Sequence, residues 1–488
     1  MIINTLYDTG YAGEMSDIND LHMRWREDGK RVEKTIKGFE PYCYVPKSKK
    51  ILIGAKDNTS TYAYAMQLPD HKNAGWMVNR IEPTDKLAAD GTELVKVILN
   101  QPWQARVFAR RVKPSFEADV PYEDRYLIDN VNEITSYKMR KLFIDLEALQ
   151  FKEDDRGPDY CLRPNNPRDF QEITMIGAYD SFSKQRVQWC QHPSLTASSE
   201  VKEFDGDKVL VYYFSNEKDL LEEFVSFVEA TDPDCILAWG MGFYDLPTLY
   251  YRLESCGVGA ERLSPSSLGR HRYTMKPTFK GHQYRWTAQP VIGRLVISLD
   301  RLFERIYKDS KSANLPSNKL DVVGEKLFGR GKTDFRPDFY DANYDEFLED
   351  YLYYNYRDVE LMVDIEEKYN LIEGQQALQE LAMCQFNATF YGSSYARTYF
   401  MRKADFIQKT GWQETFDEDL QGAIVMDPEE LDSVGAHKNV CILDFAGLYP
   451  SMMVAYNTSW ETKVKPGEER EDDIIGDGCR FRREPEGI

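Results

Sequence analysis

Two acidic residues, Asp145 and Glu147, stand two positions apart in the otherwise apolar segment KLFIDLEAL, residues 141–149. The segment has the composition of a β-strand, in which side chains at i and i+2 point to the same face. Two carboxylates side by side on a half-buried strand repel each other and are costly to desolvate. Two acidic residues spaced in this way, taken alone, more often lie on a solvent-exposed face of a strand. Bound cations would also compensate their repulsion.

Three further segments carry residues that could join this pair. AWGMGFYDLPTL places Asp245 just after a buried strand and at the start of a helix. YYNYRDVEL places Tyr354 and Asp358 at positions i and i+4, hence on one face of a helix. ILDFAGLYPSMM places Asp444 at the end of an apolar strand.

Together, KLFIDLEAL, AWGMGFYDLPTL and YYNYRDVEL predict a metal site of four carboxylates: Asp145, Glu147, Asp245 and Asp358. Hard oxygen ligands of this kind suit Mg²⁺ or Mn²⁺. Two such ions about 3.5–4 Å apart stabilise both the attacking and the leaving oxygen in phosphodiester cleavage, as is general for nucleases and polymerases. Tyr354, one turn before Asp358, could direct its hydroxyl at the attacking water. Each motif is ordinary alone, but their order and spacing together are specific.

The composition bounds the class of protein. The 488 residues predict two to four domains, and 42% hydrophobic with 13% aromatic residues suffice for packed cores. With 81 acidic and 61 basic residues the formal net charge is −20. This argues against a protein that coats DNA without sequence preference, which normally has a basic face. It allows an enzyme with a local groove that uses acids to hold metal ions.

The compartment is also constrained by the sequence. The eight cysteines form no CxxC pair and no zinc pattern with histidine, which predicts a reduced compartment. The start, MIINTLYDTGYAGEM, lacks the basic region and apolar run of a signal peptide. No window approaches the roughly 18 apolar residues of a membrane span. We expect a soluble cytoplasmic protein with no membrane partner, in the nucleoid or, for a viral chain, in the host cytoplasm.

The chain changes character near residue 136. Residues 1–135 contain short strand-like runs separated by turn residues, which predicts a β-rich region. The next segments predict a meander (KLFIDLEAL, EITMIGAYDS, RVQWCQ), a helix with Asn216 as its N-cap, a buried strand (CILAWG) and a helix closed by Gly257. Mixed strands and helices in this order predict an α/β sheet with helices on its faces, within an α+β multidomain chain.

These motifs together resemble those of family B DNA polymerases. FIDLEAL is similar to the family's first exonuclease motif, AWGMGFYDLP to the second and YNYRD to the third. DFAGLYPSMM resembles the first polymerase motif, D-x-x-S-L-Y-P-S, and DGKRVEKTIKGFEPYCYVP resembles the N-terminal domain. The resemblance covers nearly the whole chain, and four motifs in the family's order are strong evidence.

The resemblance implies four regions. They are a β-rich N-terminal domain (1–135), a ribonuclease-H-like 3′–5′ exonuclease domain (136–372), a helical connection returning to the N-terminal domain (373–409) and the first part of the polymerase palm, ending before the fingers (410–488). The implied function is the N-terminal portion of a replicative DNA-directed DNA polymerase with a proofreading exonuclease. Polymerisation would need the missing fingers, second palm motif and thumb.

Residue roles follow from the same resemblance. The exonuclease metal ligands would be Asp145, Glu147, Asp245 and Asp358. Tyr354 would position the nucleophilic water, and the site would hold two Mg²⁺ or Mn²⁺ ions. Asp444 would be one of two metal-binding aspartates of the palm, whose site also takes two ions. Leu448 and Tyr449 would bind the incoming nucleotide, with the Tyr449 ring excluding a 2′-hydroxyl.

The sequence departs from the family pattern at three points. Gly240 replaces an Asn that normally helps to hold the frayed strand, which would weaken binding of the primer end. Gly447 replaces the Ser of the polymerase motif and would loosen its turn. No D-T-D motif occurs, so we expect this chain alone not to extend DNA. It would be a truncated or split gene product, or one subunit of a two-chain polymerase.

The implied partners are a DNA primer-template, single-stranded 3′ ends and dNTP, with a second polymerase chain and a sliding clamp as candidates. The basic, aromatic segment RHRYTMKPTFKGHQYRW, residues 270–286, offers four candidate DNA contacts: Lys276, Lys280, Arg285 and Trp286. An exposed β-hairpin is the slightly favoured interpretation of this segment.

Two other functions compete with the leading hypothesis. A stand-alone 3′–5′ exonuclease would have no need of the segment from Asp444 to Ser451, which resembles a nucleotide site. A non-catalytic replication scaffold derived from a polymerase would be expected to lose costly buried acids, yet the carboxylate set is intact.

Overall fold

The computed structural model describes residues 2–7, 21–27, 29–49, 52–53, 61–62, 77–135, 137–149, 170–242, 244–265, 275–277, 284–286, 291, 293–309, 315, 317–331, 344–410, 434–441, 443, 445, 447–459, 461–476 and 479–484. The chain divides into two compact units. One comprises Met1–Gly38 and Tyr126–Ala396, and the other comprises Phe39–Arg125 and Arg397–Ile488. The domain boundaries drawn from the sequence remain predictions.

The strands, in chain order, are β1 (Ile2–Tyr7), β2 (Leu21–Glu27), β3 (Lys30–Ile36), β4 (Tyr42–Pro46), β5 (Leu52–Ile53), β6 (Thr61–Tyr62), β7 (Val78–Leu87), β8 (Glu93–Leu99), β9 (Lys141–Ala148), β10 (Ile173–Asp180), β11 (Gln185–Gln191), β12 (Ser198–Phe204), β13 (Asp207–Phe214), β14 (Cys235–Ala238), β15 (Met275–Pro277), β16 (Tyr284–Trp286), β17 (Leu295–Ser298), β18 (Ile474–Gly476) and β19 (Cys479–Phe481).

The α-helices are α1 (Gln104–Arg111), α2 (Tyr122–Asn130), α3 (Glu217–Thr231), α4 (Asp245–Ser255), α5 (Leu299–Asp309), α6 (Leu320–Phe328), α7 (Tyr344–Tyr369), α8 (Leu371–Ala382), α9 (Gly392–Lys403) and α10 (Leu448–Ala455). Short 3₁₀ turns cover Ala260–Leu263 and Phe386–Phe390. Among the described helices, none has the length and apolar character needed to cross a membrane.

A seven-stranded mixed sheet forms the centre of the first unit, in the order β12-β13-β11-β10-β9-β14-β17. β9, β10 and β11 are antiparallel neighbours, whereas β14 runs parallel to both β9 and β17. The meander and the buried strand predicted from the sequence are therefore confirmed. So is the α/β fold class, since helices pack on this mixed sheet.

The alternation of side chains along β9 divides the sheet into two faces. Leu142, Ile144 and Leu146 point into a buried cluster with α3 and α4. The intervening residues face the other side, where Phe143 packs in a cluster that includes residues of α7. Asp145 and Glu147 belong by alternation to this α7 face, so the long helix covers the side of the sheet that carries the two carboxylates.

Local sequence signals account for the ends of several elements. Asn216 caps α3, since its side chain accepts a hydrogen bond from the backbone N–H of Asp219 at 3.0 Å. Gly257, two residues after α4, has φ +70°, a conformation that glycine adopts at little cost. Both predictions are confirmed. β15 and β16 pair antiparallel, which confirms the hairpin predicted within residues 270–286.

The second unit contains a three-stranded sheet, β4-β8-β7, with α1 packed on it. Phe108 of α1 is fully buried against Val45 and Val97 of the sheet. Near the carboxyl end, β18 and β19 form a two-stranded hairpin.

One sequence prediction fails here. The apolar segment before α10 was expected to be a strand, but Val440, Cys441, Leu443 and Phe445, its described residues, lie in no strand and are exposed. A segment with strand propensity forms a strand only where a neighbouring strand pairs with it, and none of the described strands pairs with these residues. The segment GAIVMDP, residues 422–428, also has the composition of a strand, and it lies outside the described residues.

Candidate metal centre

Three of the four predicted metal ligands come together on the α7 face of the sheet. Asp145, Glu147 and Asp358 each have a carboxylate oxygen within 4.8 Å of the others. Asp145 and Glu147 are half-buried on β9, and Asp358 of α7 is fully buried. A fully buried carboxylate near two others is unfavourable unless positive charge compensates it.

The donor set fits a hard divalent cation. Carboxylate oxygens from a rigid strand and a rigid helix converge within a space that one ion can span, and oxygen ligands of this type suit Mg²⁺ and Mn²⁺. These residues would hold the ion, and the two half-buried ligands leave the site open to solvent on one side.

Asp245, the fourth predicted ligand, is not part of this group of three. It is buried at the first position of α4, and its Oδ2 lies 3.3 Å from where a Cβ on Gly240 would stand. Tyr244, the residue before Asp245, lies close enough to Asp245, Glu147 and Asp145 for their charges to affect it. Desolvation, and then the charges of Glu147, Asp245 and Asp145, raise the pKa of Tyr244 well above its ordinary range.

Tyr354 lies one helical turn before Asp358 on α7, as the spacing predicted. Its phenol is one of the groups that raise the pKa of Tyr244, so the two phenols lie near each other beside the cluster. Tyr244 was not identified as a site residue from the sequence. Its position next to Asp245, at the start of the helix, was the available signal.

Two buried polar residues beside the cluster were also missed. Asn355 of α7 donates from Nδ2 to Oδ2 of Asp145 at 3.0 Å, and Gln188 of β11 donates from Nε2 to Oδ1 of Asn355 at 3.0 Å. The sequence did contain signals. Gln188 lies between the apolar residues Val187 and Trp189 in β11. Gly177 interrupts another strand, which is typical of a close approach by a neighbouring group.

The polymerase motif is only partly described. Asp444 lies outside the described residues. Leu448 and Tyr449 begin α10 and are 45% and 73% exposed, so their side chains are accessible. Gly447 just before them has φ +62° and ψ +45°. This left-handed conformation favours glycine over the serine of the family motif.

The basic hairpin is described at the backbone level. Its register pairs Lys276 with Arg285 and Met275 with Trp286. Lys280 lies outside the described residues. The assignment of these residues to DNA contacts remains a prediction.

Two family models match the chain. One, "DNA polymerase family B, exonuclease domain", covers residues 138–323, and the other, "DNA polymerase family B", covers residues 395–486. Together the two matches include more than half of the 488 residues. The chain belongs to the family B DNA polymerases, as the resemblance of its motifs indicated. The first match contains Asp145, Glu147 and Asp245, and the second contains the polymerase motif.

Curated relatives extend this likeness over most of the chain. A protein named "DNA polymerase" from Thermococcus litoralis is 23% identical over 484 residues, covering 95% of this chain and 25% of the relative. "DNA polymerase" from Thermococcus gorgonarius is 23% identical, covering 95% and 57%. "DNA polymerase 2" from Aeropyrum pernix is 25% identical, covering 99% and 59%. The chain thus spans between a quarter and about three fifths of the length of these relatives.

Proposed function

We propose that this chain acts as a metal-dependent 3′–5′ exonuclease within a replicative DNA polymerase. The observation that carries the proposal is the convergence of Asp145, Glu147 and Asp358 within 4.8 Å on one face of the sheet. The membership of the chain in the family B DNA polymerases supplies the substrate class, single-stranded DNA 3′ ends. The proposed reaction is hydrolysis of the terminal phosphodiester, which releases a deoxynucleotide.

Each residue has a proposed part in this reaction. Asp145, Glu147 and Asp358 would hold Mg²⁺ or Mn²⁺, with two ions in the proposed mechanism, and the bound metal would supply charge stabilisation in phosphodiester cleavage. Asp245, next to the cluster, is the proposed fourth ligand. The hydroxyl of Tyr354 would orient the attacking water, and the phenol O–H of Tyr244, beside Asp245, would offer a hydrogen-bond donor at the same site.

A nuclease assay tests the proposal. The purified chain would be incubated with a 5′-labelled single-stranded oligonucleotide and Mg²⁺, without dNTP and with an EDTA control. We expect a ladder that shortens from the 3′ end, absent with EDTA and in the Asp145→Ala and Glu147→Ala variants. Digestion by a double variant, with both Asp145→Ala and Glu147→Ala, that equals digestion by the wild type would overturn the assignment. No digestion by the wild-type chain would favour a non-catalytic scaffold.

We also propose that residues 410–488 form the first part of a polymerase palm. The second family match and the exposed Leu448 and Tyr449 on α10 support this. Asp444 would contribute one metal-binding carboxylate, and Tyr449 would select dNTP. Polymerisation requires a second palm motif, which a further segment or a second chain would supply on a primer-template. A primer-extension assay tests this, and extension by this chain alone would refute the need for a further part.

The hairpin of β15 and β16 is a proposed contact for single-stranded DNA. Its support is the basic and aromatic composition, including Lys276, Lys280, Arg285 and Trp286. Base stacking on aromatics combined with phosphate pairing is the general mode of such binding. Arg285→Ala should weaken oligonucleotide binding and reduce its salt dependence. Unchanged binding at two salt concentrations would remove the hairpin from the DNA site.

A further inference from the structure

A row of three residues crosses the centre of the sheet beneath α7. The register places Asp145 of β9 opposite Gly177 of β10, and Gly177 opposite Gln188 of β11. Cross-strand partners share a face of the sheet. The row therefore consists of a carboxylate, a gap without a side chain, and an amide.

Asn355 of α7 fills the gap over Gly177. A Cβ added to Gly177 would stand 2.0 Å from Oδ1 of Asn355 and 2.8 Å from its Cγ. Both distances are too short for any real contact, so the helix residue can occupy this place only because the strand carries glycine. Asn355 is fully buried, which means that its amide must find partners within the protein.

The hydrogen bonds of Asn355 bridge the two ends of the row. Its Nδ2 donates to Oδ2 of Asp145 at 3.0 Å and to the backbone oxygen of Asp145 at 3.3 Å. Its Oδ1 accepts from Nε2 of Gln188 at 3.0 Å. One amide thus holds both the side chain and the backbone of a metal-ligand residue.

The hydrogen bonds of Gln188 determine which way the amide group of Asn355 is oriented. Nε2 of Gln188 also donates to the backbone oxygen of Leu352 at 2.8 Å, and a carbonyl oxygen can only accept. The amide nitrogen of Gln188 must therefore face this carbonyl, so it presents a donor to Asn355. Asn355 must therefore accept this hydrogen bond with Oδ1, so its Nδ2 is directed at Asp145 and donates to it.

We propose that Asn355 is a positioning residue, which holds the carboxylate of Asp145 in the orientation needed for metal binding and is itself oriented by Gln188. This inference rests on the proposed metal-dependent nuclease function. A hydrogen bond to a ligating carboxylate fixes its orientation, and loss of such a partner typically weakens metal affinity or activity by about 10- to 100-fold.

The test measures Mn²⁺ affinity by calorimetry, nuclease kcat and KM, and thermal unfolding for the intact chain and its variants. Asn355→Ala should weaken Mn²⁺ binding and lower kcat by about 10- to 100-fold, with little change in the KM for the oligonucleotide. Gly177→Ala should give the same loss by displacing Asn355. In the Asn355→Ala background, Gly177→Ala should add little, because the displaced side chain is already absent.

Two further variants separate positioning from stability. Gln188→Met keeps the volume but removes the donor that orients Asn355, so Mn²⁺ affinity should fall while the fold persists. Tyr356→Phe is the matched control. It removes the hydrogen bond from the buried Tyr356 of α7 to Oδ2 of Asp207 on β13, at 2.9 Å, and leaves the hydrogen bonds of Asn355 in place. Its Mn²⁺ affinity should equal that of the wild type.

The outcomes distinguish failure of the positioning role of Asn355 from failure of the proposed nuclease function. Lower stability of Asn355→Ala and Gln188→Met with unchanged Mn²⁺ affinity and kcat would overturn the positioning role and leave the nuclease intact. Mn²⁺ binding that depends on Asn355 in a chain without nuclease activity would support the positioning role and overturn the proposed function. No Mn²⁺ binding by the wild-type chain would overturn both.

Discussion

Nε of Arg26 lies 2.9 Å from Oδ1 of Asp234, and both side chains are almost completely buried. The pair joins β2, near the start of the chain, to the turn before β14 in the large sheet. The other oxygen of Asp234 accepts the backbone N–H of Arg140 at 2.9 Å, immediately before β9. One carboxylate therefore ties the N-terminal strands to the start of the strand that carries Asp145 and Glu147.

Removing Asp234 should strongly destabilise the first unit. Asp234→Ala removes one of the two carboxylates that contact the buried guanidinium of Arg26, while Asp232 remains 3.0 Å from its Nη2. The loss of a hydrogen bond between charged groups lowers the free energy of unfolding by about 1.5–3 kcal/mol. Urea unfolding would measure the loss. The matched control is Glu349→Ala, which removes an exposed partner of Lys202, 2.9 Å away, and should cost at most about 1 kcal/mol. Equal losses in the two variants would contradict the role of burial.

A second buried charge cluster predicts a pH dependence. Nζ of Lys141 lies 2.9 Å from Oε1 of Glu366 and 2.7 Å from Oε1 of Glu373. Glu366 also accepts the backbone N–H groups of Leu371 and Ile372 at the start of α8. Burial raises the pKa of Glu366 from 4.5 to about 7, against the opposing effect of Lys141.

The sign of the effect follows from proton binding. Between about pH 4.5 and 7 the folded chain holds a proton on Glu366 that the unfolded chain has lost. The stabilisation from this group is complete below pH 4.5 and disappears as the pH rises through about 7. The shift corresponds to about 3 kcal/mol, at about 1.4 kcal/mol per pKa unit. Urea unfolding across this range should show a smaller decline with pH for Glu366→Gln than for the wild type.

Glu373 supplies the matched control, because its pKa moves in the other direction. Burial alone would raise it, but the hydrogen bond and charge of Lys141 lower the pKa of Glu373 below its ordinary value. The stability from Glu373 is therefore present at higher pH and is lost on acidification. Glu373→Gln should weaken the protein most above about pH 5, whereas an unchanged pH profile in both variants would exclude the cluster as its source.

Gly240 offers a test of the proposed binding of DNA 3′ ends at the carboxylate cluster. The family pattern has Asn at this position, and a Cβ here would lie 3.3 Å from Oδ2 of Asp245. An Asn side chain could donate to the frayed strand, so we expect Gly240→Asn to lower the KM for single-stranded 3′ ends several-fold with kcat little changed. Gly240→Ala, measured in the same steady-state assay, controls for contact with Asp245. A lower KM in both variants would show that the amide is not the cause.

The main elements of the site follow from local patterns. The apolar alternation of β9 and the i, i+4 spacing in α7 predicted which residues would face each other, and Asp145, Glu147 and Asp358 do converge. The link from Asp145 through Asn355 to Gln188 could not be predicted in this way. It depends on the register of three strands and on where a helix crosses them, and these are set by packing of distant segments.

Other features that the sequence did not predict also depend on contacts between distant segments. Arg26 and Asp234 are 208 positions apart, and no periodicity in either segment points to the other. The apolar residues Leu443 and Phe445 have the character of a strand, yet they are 91% and 77% exposed because nothing among the described strands pairs with them. Local propensity predicts an element only where tertiary neighbours are present to complete it.

The carboxylate cluster should make the metal-free protein less stable than a variant with fewer charges. Asp358 is fully buried within 4.8 Å of Asp145 and Glu147, so like charges oppose folding there. Asp358→Asn keeps the shape of the side chain and removes one charge, which should raise the free energy of unfolding in EDTA by about 1 kcal/mol, as is common where a site sacrifices stability for activity. Thermal or urea unfolding in EDTA measures this.

The same variant should lose the stabilisation that metal binding confers. A ligand that binds the folded state stabilises it in proportion to the logarithm of its concentration over its dissociation constant. Adding Mn²⁺ should therefore raise the unfolding midpoint of the wild type and leave that of Asp358→Asn nearly unchanged. Asp350→Asn, on the polar part of the same helix and exposed, is the control and should respond to Mn²⁺ as the wild type does. The contrary result would be an Asp358→Asn variant that is less stable than the wild type in EDTA and whose unfolding midpoint still rises with Mn²⁺. It would show that this carboxylate stabilises the fold and does not bind a metal.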